Sequence, residues 1–97
     1  MGIKVQTLSD KDKTRLKLAP ALEGVIITEL NQDSFLLRQN ISIDDIIIEI
    51  QNRPVKSGSD VVSVIKDVVL DGKENVLVVF YGGPNTRKYI GAKLSLD

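Results

Sequence analysis

The sequence predicts a mainly β domain with two helices, an α+β fold in which a small, partly open antiparallel β-barrel or sandwich has helices capping its openings. Three observations lead there. β-branched apolar runs bounded by turn residues recur at residues 24–30 and 44–50. Two further runs, at 75–81 and 88–94, are joined through Gly82-Gly83-Pro84-Asn85, which reads as a hairpin. Between these pairs, residues 60–69 carry apolar side chains at helical rather than strand spacing.

The elements follow in order. Met1-Gly2-Ile3-Lys4-Val5-Gln6-Thr7 alternates, so that Met1, Ile3 and Val5 share one face if the chain is extended. Read alone, it suits either an ordinary edge strand or a carboxylate-cradling turn running into an open strand edge, since Gly2 lets amides turn toward an anion. Ser9 with Asp12 three residues on reads as a capped short helix, which Ala19-Pro20 closes. After the strand at 24–30, Asn31-Gln32-Asp33-Ser34 is turn chemistry. Ser34 caps a short helix at 35–39, and Asn40 suits a left-handed stop. In the strand at 44–50, Ile46, Ile48 and Ile50 are expected on one core face. Asn52-Arg53 turns into a short strand at 54–56, confined to an edge by Pro54.

Ser57 or Ser59 caps the main helix. Its apolar residues Val61, Val62, Val64, Ile65, Val68 and Val69 span an arc of about 160° at 100° per residue. Val61, Val64 and Val68 can pack inward. Val62, Ile65 and Val69 are left over, which fits either a deeply buried helix or one wall of a groove. The strand at 75–81 is apolar on both faces and is expected to be central.

Composition narrows the function. The 97 residues make one domain, 1–97, with no Cys and hence neither disulfide nor thiolate metal site. Absence of His removes Ser-His-Asp, Cys-His and His-ligated metal chemistry, so no catalytic residue, metal or cofactor is expected. Asp44 and Asp45 are adjacent on a strand and point to opposite faces, so they are not a ready acid/base pair. Thirteen basic and thirteen acidic residues cancel, with no basic block for nucleic acid. No apolar run approaches about 18 residues, so no membrane span is expected, and no signal-peptide pattern is present.

The order of elements resembles a PDZ domain in the circularly shifted form of bacterial proteases, closest to the C-terminal (second) PDZ domain of Do/HtrA-type serine proteases. Residues 24–30 resemble the family's G-V-x-V-x-x-V strand. Asp33-Ser34 with residues 41–47 is similar to its S-x-A-x-x-A-G-L-x-x-G-D-V-I segment, residues 51–55 to its V-N-G-K-P-V, and Ser59-Asp60-Val61 to the start of its groove helix. Three departures stand out. Gln39-Asn40 replaces Ala-Gly, Asp44 replaces Gly, and the larger Phe35-Leu36 replaces a small Ala. Asn40 and Asp44 are residues that tolerate positive φ, so the backbone shape can survive.

The resemblance implies recognition of peptide or unfolded-protein C-termini by strand addition to residues 3–7. It implies that Met1, Gly2 and Ile3 hold the terminal carboxylate and that the backbone of Lys4 and Gln6 pairs with the peptide. Met1, Ile3 and Val5, with Val62, Ile65 and Val69, would take the last side chain, and Lys66 would favour an acid upstream. Gly58 stands where many relatives select the antepenultimate residue, so little selectivity is expected there. Weak, micromolar-scale binding to ends in Val, Leu, Ile, Phe or Ala follows. The resemblance also implies a non-catalytic domain cut from a periplasmic serine endopeptidase of a Gram-negative bacterium. The alternatives are an inter-subunit docking domain of the protease cage, meeting other subunits or PDZ domains of the same protease, and the PDZ domain of a site-2 protease or secretion component.

Overall fold

The structure is a computed structural model that describes residues 2–84 and 86–94, and the backbone alone of Phe35. Its elements are β1 (Ile3–Thr7), α1 (Asp10–Arg15), β2 (Val25–Leu30), a 3₁₀ turn (Phe35–Gln39), β3 (Ile46–Ile50), β4 (Arg53–Pro54), α2 (Gly58–Leu70), β5 (Asn75–Gly83) and β6 (Thr86–Lys93). The strands form one antiparallel sheet in the order β1-β2-β3-β5-β6, with β4 paired to β3. The sheet does not close: β1 and β6 are its ends. β5 is central, as its two apolar faces require.

Local chemistry sets the boundaries. The Ser9 hydroxyl accepts the Asp12 N–H at 3.1 Å while the Asp12 carboxylate accepts the Ser9 N–H, a reciprocal cap. Ser34 accepts the Leu36 N–H, and Ser57 starts α2 by accepting the Asp60 N–H at 3.2 Å. Asn40 (φ 63°) and Asp44 (φ 77°) adopt the left-handed backbone expected of them. Gln51 (φ 52°) and Asn52 (φ 63°) form the two-residue turn that pairs Ile50 with Arg53. The β5–β6 hairpin is longer than the sequence suggests. Gly82 is the extra residue of a register shift, which lets Gly83 pair with Thr86.

α2 buries Val61, Val64 and Val68 against one face of the sheet, where Val25, Ile27, Ile47, Ile50, Val78 and Phe80 complete the main core. Leu36 is fully buried there as well, so the core accommodates this large residue near the 3₁₀ turn. Residues 8–22 cover part of the other face, through a smaller cluster of Leu8, Ile26 and Ile46 with Leu16, Leu18 and Leu22.

One expectation fails. Ile46, Ile48 and Ile50 do not share a face: Ile46 and Ile48 join the smaller cluster, whereas Ile50 joins Ile47 in the main core. The cause is a bulge. Ile47 pairs with Phe80 and Glu49 with Val79, so Ile48 is an extra residue and the alternation resets beyond it.

α1 buries no residue and is tied down by charge. Arg15 reaches across the chain to both Asp44 carboxylate oxygens at 3.0 Å and to Asp12 at 3.2 Å. The Arg15 hydrogen bond holds the Asp44 carboxyl below the usual carboxylate range. A depressed folded-state pKa means stability present above the unfolded pKa and lost as pH falls below it. Acidification from pH 7 to below the ordinary Asp pKa is therefore expected to lower the urea midpoint more in the wild type than in Asp44→Asn. The side chains are half exposed, so the difference is small.

Candidate functional site

Among the described residues, β1 is paired on one side only, with β2. The orientation of its backbone groups is fixed by three hydrogen bonds. The Gly2 carbonyl accepts the Asn31 N–H at 2.7 Å, the Lys4 carbonyl accepts the Thr28 hydroxyl at 3.3 Å, and the Leu8 N–H donates to the Gly24 carbonyl at 3.0 Å. Even-numbered residues therefore turn their amides toward β2. Ile3, Val5 and Thr7 turn theirs outward, because alternate residues of a strand bond to opposite sides.

This corrects the sequence-based expectation for the backbone of Lys4 and Gln6. Lys4 points its carbonyl inward, Gln6 follows by alternation, and the free edge belongs to Ile3, Val5 and Thr7. Pairing parity depends on register, and β2 carries a bulge at Thr28 opposite Lys4/Val5 that no pattern in the sequence announces. The Lys4 side chain meets Glu29 at 2.9 Å, both well exposed. That hydrogen bond raises the Lys4 pKa. Gln6 is exposed.

Gly2, at φ 70°, turns the chain just ahead of this edge, a conformation that costs a glycine little. An open depression of about 460 Å³ lies there, lined by Gly2, Ile3, Lys4, Glu29, Leu30 and Asn31. Met1, expected in the carboxylate turn and the pocket, lies outside the described residues.

α2 forms the second wall. Ile3 and Val5 are half-buried and pack on the main core from β1, and Ile65 does so from the helix. Val62 and Val69, the flank left over in the sequence, are 67% and 55% exposed. The buried-helix alternative is thereby excluded, since Val62 and Val69 of the apolar arc face solvent. Lys66 is exposed. Gly58 brings the first turn of α2 to β1: a Cβ there would lie 3.9 Å from the Val5 carbonyl oxygen and touch nothing else.

The acids are committed elsewhere. Asp45 accepts the Ser42 N–H at 2.9 Å within its turn, and Asp44 holds Arg15. Among the described residues, no group of three or more His, Cys, Asp or Glu side chains is placed to hold a metal ion. No described helix is long and apolar enough to cross a membrane.

No curated protein matches the sequence. Among solved structures, the chain is similar to the HtrA3 PDZ domain bound to a phage-derived ligand, FGRWV. The TM-score is 0.69 at 21% identity, over 96% of this chain and 81% of that one. The family model for the PDZ domain matches residues 1–70. An open sheet edge beside an apolar helix flank, in this order of elements and under this match, makes the chain a member of the PDZ-domain family.

Proposed function

We propose that this domain binds hydrophobic protein C-termini by adding them as a strand to β1. The observation that carries the reading is the outward-facing backbone of Ile3 and Val5, lying beside a helix flank of exposed Val62 and Val69 with half-buried Ile65. The peptide runs antiparallel to β1, with its end at the Gly2 turn. Its carboxylate accepts N–H bonds from that turn, each contributing roughly 1.5–3 kcal/mol. Its last side chain enters between Ile3 and Val5 on one side and Val62, Ile65 and Val69 on the other, where burial is worth about 1.5–3 kcal/mol. Association and ordering offset much of this, which leaves micromolar-scale affinity. The Val-ending ligand of the HtrA3 domain supports a hydrophobic terminal residue.

The role we assign is substrate recognition or regulation within a Do/HtrA-type serine endopeptidase of the bacterial periplasm, the domain itself being non-catalytic. Docking against other subunits of such a protease is the competing role. Self-association without peptide binding would reveal it.

Extending a Val-ending peptide by one Asp is the test. The added residue displaces the carboxylate from the turn and puts a charge in the pocket, so fluorescence polarisation is expected to show at least about ten-fold weaker binding. Equal binding of the two peptides would exclude recognition of the terminus.

A further inference from the structure

We propose that the outer edge of β6, at the opposite end of the sheet from β1, is a second docking surface that takes an acidic, extended internal segment of a partner protein as an added strand.

The backbone of β6 is set for this. Among the described residues, β6 pairs only with β5. The register runs unbroken from Asn75 with Lys93 to Tyr81 with Arg87. The Leu94 N–H donates to the Glu74 carbonyl at 3.0 Å, so even-numbered residues of β6 turn their amides and carbonyls toward β5. Leu77 confirms the parity from the other side, since its carbonyl accepts the Gln51 N–H from beyond β3. Arg87, Tyr89, Gly91 and Lys93 therefore turn their backbone groups outward.

The middle of that edge carries none of the usual obstacles to pairing. Tyr89-Ile90-Gly91-Ala92 has no charge, no proline and no bulge. Ile90 and Ala92 are buried, whereas Tyr89 is 61% exposed and nothing lies within 4 Å of a Cβ at Gly91. An arriving side chain can lie over that glycine beside the tyrosine ring. The 3₁₀ turn approaches from the side on which Ile90 is buried, where the Lys88 ammonium donates to the Gln39 carbonyl at 3.2 Å.

Charge selects the occupant. β6 holds Arg87, Lys88 and Lys93 and no acid. Glu49 neutralises Arg87 at 2.6 Å. Among the described residues, neither Lys88 nor Lys93 has an ion-pair partner. Two uncompensated cations thus flank an uncharged centre. A second copy brings only further cations: centred on Ile90, an antiparallel pair would set Arg87 of each copy opposite Lys93 of the other. An extended segment with acids five residues apart and β-branched residues between them matches Lys88 and Lys93 together. On β1, by contrast, Lys4 is already paired with Glu29. No free chain end is needed at β6, so the segment can be internal.

The probe is a hexapeptide, acetyl-Glu-Val-Thr-Val-Thr-Glu-amide, beside its twin with Lys in place of both Glu. Its blocked ends offer no terminal carboxylate. In an NMR titration of the domain, the acidic peptide is expected to shift amides of residues 86–93, Tyr89 and Gly91 more than Ile90 and Ala92. It is expected to bind at least about five-fold tighter than its twin and to weaken as salt rises. Lys93→Glu, at an exposed position, is expected to weaken the acidic peptide at least about three-fold and to leave a Val-ending peptide at β1 unaffected. Equal binding of the twins, shifts confined to residues 2–7, no shifts at all, or self-association through β6 would each overturn the inference. None of these outcomes bears on terminus recognition at β1, which the Val-ending peptide tests separately.

Discussion

Ile3→Asp is expected to weaken binding of a Val-ending peptide by at least about 100-fold, near 3 kcal/mol. The substitution acts twice. It removes an aliphatic wall of the pocket, and it sets a carboxylate where the peptide's own must lie, adding like-charge repulsion in a partly desolvated groove. The fold is expected to survive, because Ile3 sits half-buried on an edge strand. A stability loss of about 1–2 kcal/mol is the expected range for such a site. Calorimetry gives the affinity, and far-UV circular dichroism with urea unfolding shows that the domain is intact. Lys4→Ala and Gln6→Ala provide the contrast. Their side chains point to solvent, so losses of no more than a few-fold are expected from them. Wild-type affinity in Ile3→Asp would place the site elsewhere.

Gly24→Ala is expected to be among the most damaging single-methyl changes, at about 2–4 kcal/mol. A Cβ at Gly24 would lie 2.6 Å from the backbone carbonyl oxygen of Ile47 and 3.1 Å from the Ile46 side chain. The near atom is main chain in a central strand, so relief requires β2 and β3 to move apart. That pairing is short: Val25 with Ile47 and Ile26 with Ile46. All four of these side chains are buried. Gly91→Ala is the control. Nothing lies within 4 Å of a Cβ there, so the change is expected to stay within about 0.5 kcal/mol of neutral. Urea midpoints of the two variants measure the difference directly. Equal effects would show that β2 and β3 are less tightly apposed than described.

Most of the fold is legible in the sequence because its signals are local. Ser9, Ser34 and Ser57 mark helix starts by side chains that bond within three residues. Asn40 and Asp44 mark left-handed turns by residue type alone. The split of α2 into a buried row and an exposed row follows from helical geometry, and Val61, Val64 and Val68 against Val62 and Val69 obey it.

What the sequence hides is register. The bulge at Ile48 puts Ile50 in a different core from Ile46, and the choice is made by β5 across the sheet, not by the run of isoleucines. The same holds at the site. That β1 forms a groove wall follows from Ile3 and Val5. Which of its amides face outward is decided by contacts from Thr28, Asn31 and Gly24, residues 16 to 29 positions away along β2 and its ends. Contacts such as Arg15 with Asp44 and Lys4 with Glu29 are likewise set by topology.

The most direct measurement is an NMR titration of the domain with a short peptide ending in free Val, beside its C-terminally amidated twin. The account predicts amide shifts concentrated in residues 2–7 and 58–69, much weaker for the amidated peptide, with Ile3 and Val5 moving more than Lys4 and Gln6. Equal shifts for both peptides, or shifts centred on β6, would contradict a carboxylate-reading groove at β1.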